Sequence, residues 1–399
     1  MRIGMMTDVY KPHISGITNY ISLNKHYLEE AGHDVFVFTF GDLEHQDNEE
    51  GIIRSPGLPL VDTGYYLSLR YSLKAKRLLQ TMDVVHIHHP FLSGNLALRY
   101  CRPLRIPTVF TNHTRYDLYA QAYLPLLPEV ISETLLQRYM PSFCEAMDLV
   151  ISPSPGMADV LCKLGVRSNI VIVPNGVELT RFHHLNHMEQ RANSGFTEDD
   201  ILFVYTGRLA PEKNLGLLIE AFAGAAEVVG NIHLLVIGGG PEEELLKDQA
   251  ARSLVGPRIH FIGRLDYDLL PAYLTMCDAF VTASVTEVHP LSVIEAMASG
   301  LPVLGVRSVG VGDTIENGVT GFLASENPAA IAAQMTRMGL DRDLRRRMGK
   351  AARKRSEQYS IEHTTNILLS FYEQLVHKAA TRKRGLTIRF RSLLERFRS

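Results

Sequence analysis

The sequence is poor in the features that narrow a function quickly. It has four cysteines, at 101, 144, 162 and 277, and no two of them form a CxxC pair. They read as reduced, mostly buried thiols of a cytosolic protein rather than as a disulfide framework. No run reaches the roughly 18 apolar residues of a membrane-spanning helix. The opening "MRIGMMTDVYKPHISG" holds too short an apolar stretch for a signal peptide. The chain therefore reads as cytoplasmic, held at most on the inner face of the cell membrane. Charge of one sign is also lacking: 41 Lys and Arg against 43 Asp and Glu leave a net charge of −2, so nothing marks a nucleic-acid partner. There is no short-period repeat, no low-complexity tract, and no GxGxxG of a nicotinamide site.

What is present is a chain of 399 residues, 46% apolar and 21% charged, enough for two domains of roughly 150–200 residues. "MRIGMMTD" reads as a strand, "GITNYISLNKHYLEEAG" as a helix ending at Gly32, and "DVFVFTFG" as the next strand; "MDVVHIHH", "PTVFTNHT" and "DLVISPS" are further short β-rich runs. The alternation restarts after residue 198 with "DILFVYTGR", "LGLLIEAFAGAAEV" and "IHLLVIGGG". Repeated strand and helix predict parallel sheets with helices on both faces, hence two doubly wound α/β domains facing each other across a cleft. Between them, "VPNGVELTRFHHLNHMEQRANSG" has the composition of a hinge. In such sheets ligands bind outside the carboxyl ends of the strands.

Several stretches fall at strand ends. Gly16 lies between a strand and a helix, where backbone can approach a phosphate, although an ordinary turn glycine fits as well. Arg208 and Lys213 in "TGRLAPEKN" follow a strand and precede a helix. They suit a diphosphate leaving group, or are two solvated charges. Glycines 238–240 form a nucleotide-contacting loop or a tight turn. In "TEVHPLSVIEAMASG", Glu287 and Glu295 stand with seven residues between them: an acid/base pair, a binding clamp, or two solvated carboxylates. His86, His88 and His89 tempt a metal reading, but no acidic or cysteine partner sits at ligand spacing, so no metal site is expected. On a strand His86 and His88 share a face and His89 points away. His113 ends a strand, as a ligand contact or a core residue.

Taken in order, Gly16, His113, "PNGVELTRF", "TGRLAPEKN", "IGGGP" and "TEVHPLSVIEAMASGLPVL" resemble the family-4 retaining glycosyltransferases over roughly residues 1 to 375. That resemblance implies the GT-B fold. It implies an acceptor-side Rossmann-like domain at 1–172 completed by a returning C-terminal helix at 360–378. A nucleotide-sugar domain at 173–359 and a basic tail at 379–399 complete the expected division. Arg208 and Lys213 match the cationic pair on the departing diphosphate, and Glu287 the carboxylate holding hydroxyls of the transferred sugar. Glu295 matches the carboxylate on the ribose, and His113 the histidine beside the sugar. Gly16, Gly207, Gly239, Leu291 and Ser292 join the expected donor contacts. No cofactor or divalent ion is required, and a nucleotide sugar is the co-substrate. The chain departs from the family at His289-Pro290, where an aromatic and a glycine are usual, which leaves sugar contacts open there.

For the acceptor, "HIHHPFLSG" and "TNHTRYDLY" most resemble the diacylglycerol glucosyltransferases, with phosphatidylinositol mannosyltransferases and soluble relatives close behind. UDP-glucose and a membrane lipid are the favoured substrates; a sugar-nucleotide epimerase of the same fold is the alternative of another class. Tyr116, Tyr119 and Tyr123 stand at helical spacing as acceptor contacts or as an internal helix. Lys74 and Arg77, with Arg70 and Lys76, add cations that suit an anionic membrane surface. From Thr381 to Ser399 seven Arg and Lys face one Glu, interleaved with apolar residues, as a basic tail or a surface-seeking helix.

Overall fold

The computed structural model describes residues 1–42, 45–60, 66–118, 129–182, 191 and 194–396, with side chains except at 129–133 and 382–396. The chain divides into two compact units, Met1–Val173 with Glu362–Ser399, and Pro174–Ile361.

The first unit carries β1 (Arg2–Met6), α1 (Gly16–Glu30), β2 (Asp34–Phe40) and β3 (Ile52–Ser55). A short antiparallel pair, β4 (Leu58–Pro59) and β5 (Tyr66–Leu67), precedes α2 (Leu73–Leu79). Then come β6 (Val84–Ile87), α3 (Leu92–Cys101), β7 (Thr108–Thr111), α4 (Glu129–Glu145), β8 (Leu149–Ser152), α5 (Pro155–Lys163) and β9 (Ile170–Ile172). Its sheet runs β3-β2-β1-β6-β7-β8-β9, every pairing parallel. The central strands β6, β7 and β8 are buried along their whole length, as parallel strands must be once crossover helices cover both faces. Alternate residues serve opposite faces: Ile3, Met5, Val35 and Val37 join Val84 and Val109 in one core.

The second unit carries β10 (Ile201–Thr206), α6 (Leu215–Val228), β11 (Ile232–Ile237), α7 (Glu243–Ala251), β12 (Ile259–Gly263), α8 (Leu270–Thr275), β13 (Ala279–Thr282), α9 (Leu291–Ala298), β14 (Val303–Val306), α10 (Val309–Thr314), β15 (Gly321–Ala324), α11 (Pro328–Leu340) and α12 (Arg342–Ser356). Its parallel sheet runs β12-β11-β10-β13-β14-β15. Phe203, Tyr205, Leu234 and Val281 face a core with α6 and α11, while Leu202, Val204, Leu235 and Phe280 face another with α8 and α9. Truncating a core phenylalanine such as Phe280 to Ala costs about 3–5 kcal/mol in such packing.

The helix expected at 360–378 is α13 (Ile361–Arg396), and it continues unbroken to Arg396, well into the stretch read as a separate tail. Its first turns return to the sheet of the first unit. Thr365 Oγ1 lies 3.1 Å from Asn24 Oδ1 and Tyr372 OH 2.6 Å from His86 Nδ1, and Leu368 and Tyr372 are buried in that core. Nor is the start of the expected hinge loose. Val177, Leu179 and Phe182 are buried in the second unit, because three apolar side chains there outweigh the polar composition around them. Residues 183–190 of that stretch, together with Tyr119, Tyr123 and Phe397, lie outside the described residues.

Candidate active site

Each sheet reverses its winding once, between β1 and β6 and between β10 and β13. Those reversal points leave crevices at the carboxyl ends of the strands. In the second unit, Arg208 follows β10 and Glu287 follows β13, so adjacent parallel strands bring together residues far apart in sequence. Lys213 reaches the same place through a short 3-10 turn, Pro211–Lys213. Its Nζ lies 2.5 Å from Glu287 Oε1. Ser284 Oγ donates to the same carboxylate oxygen at 3.1 Å. Thr286 Oγ1 donates to Glu212 O at 3.4 Å, tying the two loops together.

Arg208 is exposed, and its carbonyl accepts from Tyr205 OH at 3.1 Å. Burial first, then the Glu287 and Glu212 carboxylates, push the Tyr205 phenol well above its ordinary range. The glycine loop packs beneath Arg208: Leu209 N–H donates to Gly239 O at 3.1 Å. A Cβ on Gly238 would stand 1.8 Å from Gly207 O, so the close approach of these two loops requires glycine there. The expected donor contacts Gly207 and Gly239 thus belong to a pair of loops that carry Arg208.

Glu287 is also held by its backbone. Gly310 N–H donates to Glu287 O at 3.0 Å, and a Cβ on Gly310 would stand 2.3 Å from Val288 C. Helix α9 begins just beyond. Pro290 is its N-cap rather than its first helical residue, with φ −74° and ψ 116°. Leu291 and Ser292 therefore occupy the first two helical positions, whose N–H groups lack intrahelical acceptors and favour an anion. No acidic residue competes in that first turn.

Glu295, further along α9, points elsewhere. It is 7% exposed, and its Oε1 accepts from Tyr267 OH at 2.8 Å. Burial raises its carboxyl to about 7, partly offset by that hydrogen bond. Arg181 stacks over the Tyr267 ring, its guanidinium carbon 5.7 Å from the centroid. Glu287 and Glu295 thus have separate partners, one a cation and a hydroxyl, the other a phenol. That separation argues against one acid/base pair.

His289 stands where the sequence leaves the sugar contacts open. It is 5% exposed, turned inward with its ring edge on Tyr359 at 4.9 Å. Burial and then Arg355 lower its imidazole to about 3, so it is neutral.

In the first unit, His113 sits past the end of β7, at intermediate exposure, with Nε2 3.0 Å from His88 Nδ1. Tyr20 from α1 places its ring 4.7 Å from His113. Burial first, then His86 and His89, hold His113 well below the usual imidazole range. His113 is therefore a neutral hydrogen-bonding group rather than a cation. His86 and His88 do share a face, their rings 4.2 Å apart, and His89 turns to Thr7 at 3.0 Å. No group of three or more metal-ligating side chains is placed for an ion among the described residues. Gly16 is the first residue of α1, capped by Ser15, whose Oγ accepts from Thr18 N–H at 3.2 Å. A Cβ there would meet no atom within 4 Å, so packing within this unit does not demand glycine at 16.

Tyr116 corrects one expectation. It is 2% exposed, with its ring edge on Phe91 at 5.4 Å, so it belongs to a core and cannot face a membrane. Lys74 and Arg77 are exposed on α2. Beside them the sequence reading overlooked a run of exposed leucines at 58, 60, 67, 69 and 73. It also overlooked Ser284, Tyr205 and Tyr267. Ser284 stands three residues before Glu287 and was legible as a loop polar group, whereas Tyr267 lies 28 positions from Glu295 with no local signal.

Residues 14–181 match the family model of Glycosyltransferase Family 4, and residues 186–355 that of Glycosyl transferases group 1. An alpha-monoglucosyldiacylglycerol synthase of Acholeplasma laidlawii is 29% identical over 343 residues, covering 82% of this chain and 85% of the relative. The enzyme of the same name from Streptococcus pneumoniae is 30% identical over 314 residues, covering 76% and 70%. Among solved structures, the sucrose-phosphate synthase of Thermosynechococcus elongatus superposes with a TM-score of 0.77 at 20% identity, covering 94% of this chain and 99% of that one. Two parallel-sheet units with these matches make the chain a glycosyltransferase of family 4, with the GT-B fold.

Proposed function

We propose that the chain moves a hexose, glucose from UDP-glucose being favoured, onto a hydroxyl of a membrane lipid such as diacylglycerol, with retention at the anomeric carbon. The observation that carries this reading is the Lys213–Glu287 pair beside the free N-terminus of α9. A cation, a carboxylate and unpaired N–H groups stand together where strand order reverses.

In this reading Lys213, Arg208 and the N–H groups of Leu291 and Ser292 take the diphosphate. Glu287 Oε2 is left for sugar hydroxyls while Oε1 stays on Lys213 and Ser284. Glu295 and Tyr267 take the ribose diol. The bond from C1 to the diphosphate oxygen breaks, and one from C1 to the acceptor oxygen forms on the same face. The acceptor proton passes to a departing phosphate oxygen. Rate enhancement then rests on positioning and on charge stabilisation of the oxocarbenium and diphosphate. The reading invokes no divalent ion, since Arg208 and Lys213 supply the positive charge.

A lipid acceptor is supported by the two relatives, which are diacylglycerol-glucosylating by name. It is supported further by the exposed leucines from 58 to 73 beside Arg70, Lys74 and Arg77. Apolar side chains that enter a leaflet beside cations that meet its headgroups suit peripheral contact, each cation contributing about 1 kcal/mol near an anionic surface. No helix among the described residues is long and apolar enough to cross a membrane.

A panel of radiolabelled UDP-glucose, UDP-galactose and GDP-mannose, offered with diacylglycerol-containing vesicles, tests the reading. Labelled glycolipid from UDP-glucose is expected. Labelled lipid only from another donor corrects the sugar, and isomerised donor without transfer replaces the reading with an epimerase.

A further inference from the structure

The chain passes between its units twice, at Val173/Pro174 and at Ile361/Glu362. Inside the second unit these two segments are stitched together. Val177 N–H donates to Tyr359 O at 2.9 Å, and Ile361 N–H to Val177 O at 3.0 Å, with a parallel bridge between Val177 and Ser360. One side chain of the Glu287 loop reaches both. His289 Nδ1 accepts from Asn175 N–H at 3.2 Å, and its carbonyl accepts from Asn175 Nδ2 at 2.9 Å. Its ring lies edge-on to Tyr359, 4.9 Å away at 71°. Asn175, Val177, His289, Tyr359 and Ile361 are all buried.

The same loop is held on its other flank by Gly310, through its N–H to Glu287 O. Residues 287–290 are therefore clamped between α10 and the paired crossings, with His289 as the crossing-side clamp. Glu287 stands two residues before it, and the α9 N-cap Pro290 follows directly. Because Nδ1 accepts from a backbone N–H, the ring is neutral with its proton on Nε2. A phenylalanine keeps the ring contact and loses that acceptor.

We propose that His289 is a positioning residue: through Asn175 and Tyr359 it fixes the Glu287 loop and the first turn of α9 to the two chain crossings, and so sets affinity for the nucleotide diphosphate. This rests on the reading that Glu287, Leu291 and Ser292 hold the donor. His289 touches no substrate itself. Its backbone carbonyl and ring nitrogen place the neighbours that do.

The test uses the full chain and whichever of UDP and GDP the wild type binds more tightly, titrated by calorimetry, with thermal unfolding measured alongside. Asparagine puts its Oδ1 near the position of Nδ1, whereas glutamine puts its Oε1 near Nε2. His289→Asn is expected to keep Kd within about threefold. His289→Gln and His289→Phe are expected to weaken it about tenfold, the scale of one lost buried hydrogen bond. Asn175→Ala, which leaves the His289 ring untouched, is expected to weaken binding in the same direction. Equal Kd for the Asn, Gln and Phe variants overturns the proposal, as does wild-type affinity in Asn175→Ala if the three His289 variants do not fold. Lys213→Ala is titrated in parallel. If it too binds like the wild type, the donor-site reading fails, and if it alone loses affinity, the His289 proposal fails by itself.

Discussion

Lys213 Nζ stands 2.5 Å from Glu287 Oε1, joining the loop after β10 to the loop after β13. Both side chains are about one-fifth exposed, so the pair is more than a surface ion pair and less than a sealed one. Lys213→Ala removes the cation that the proposed reading puts on the diphosphate and leaves Glu287 with Ser284 as its hydrogen-bond donor. Transfer is expected to fall by at least about a hundredfold, the scale of a lost charge-stabilising contact in a transition state. Thermal unfolding is expected to shift only a few degrees. Glu287→Ala should lose a similar amount, and the double variant should lose much less than the product. Multiplicative losses would show that the two act independently.

Glu295 gives the site a pH dependence. In the folded chain its carboxyl holds a proton up to about 7, against about 4.5 unfolded. A raised acid means folding takes up a proton in that window, so its contribution to stability falls as pH rises from about 4.5 to about 7. In the proposed reading ribose hydroxyls donate to the ionised form, so nucleotide affinity should rise with pH towards 7 and then level off. The slope should reach at most about tenfold per pH unit. Glu295→Gln keeps the phosphate's own titration and should lose this component. A Gln variant with the wild-type pH profile for UDP binding would contradict the assignment.

Two buried histidines work in the opposite sense. Burial lowers His86 to about 3, and burial with Arg355 does the same for His289. An unfolded histidine takes up a proton below about 6.5 and these do not, so stability falls as pH drops from about 6.5 towards 3. Each contributes up to about 1.4 kcal/mol per pH unit across that window. His86→Phe should therefore unfold at lower urea at pH 7, having lost Tyr372 and Thr111 as partners. The gap to wild type should narrow at pH 5. A constant gap would mean that His86 titrates normally in the fold.

The exposed leucines carry a membrane prediction. Replacing Leu69 and Leu73 by Ser, both more than two-thirds exposed, should leave thermal stability unchanged and reduce sedimentation with anionic vesicles several-fold. Lys74→Glu with Arg77→Glu should do the same and remove the salt dependence of what remains. Truncation after Ala379 tests the basic end of α13 in the same assay. If sedimentation survives all three changes, the membrane-contact reading fails.

The repeated strand and helix alternation was enough to read two doubly wound halves, because parallel strands advertise themselves as short apolar runs between helices. The Arg208, Lys213 and Glu287 positions were legible because each follows a strand end, where such sheets expose their loops. What stayed hidden depends on contacts across the sequence. Nothing local says that Tyr267 caps Glu295 or that Asn175 binds His289, 114 positions away. The sequence leaves the role of His289 open beside Glu287, and the structure turns its ring to the core, where Asn175 and Tyr359 meet it. Tyr116 misled for the opposite reason. Its spacing suggested a helix face, and burial against Phe91 decided its role.

Product chemistry gives the most direct test. Wild-type protein is incubated with UDP-glucose labelled at C1 and vesicles of diacylglycerol in anionic phospholipid, and the lipid product is examined by NMR. Glucosyl-diacylglycerol with the α-anomeric signal, absent with Lys213→Ala, is the predicted result. A β-anomeric glycolipid would contradict retention, and label that remains in UDP-glucose or appears only as free glucose would contradict lipid glucosylation itself.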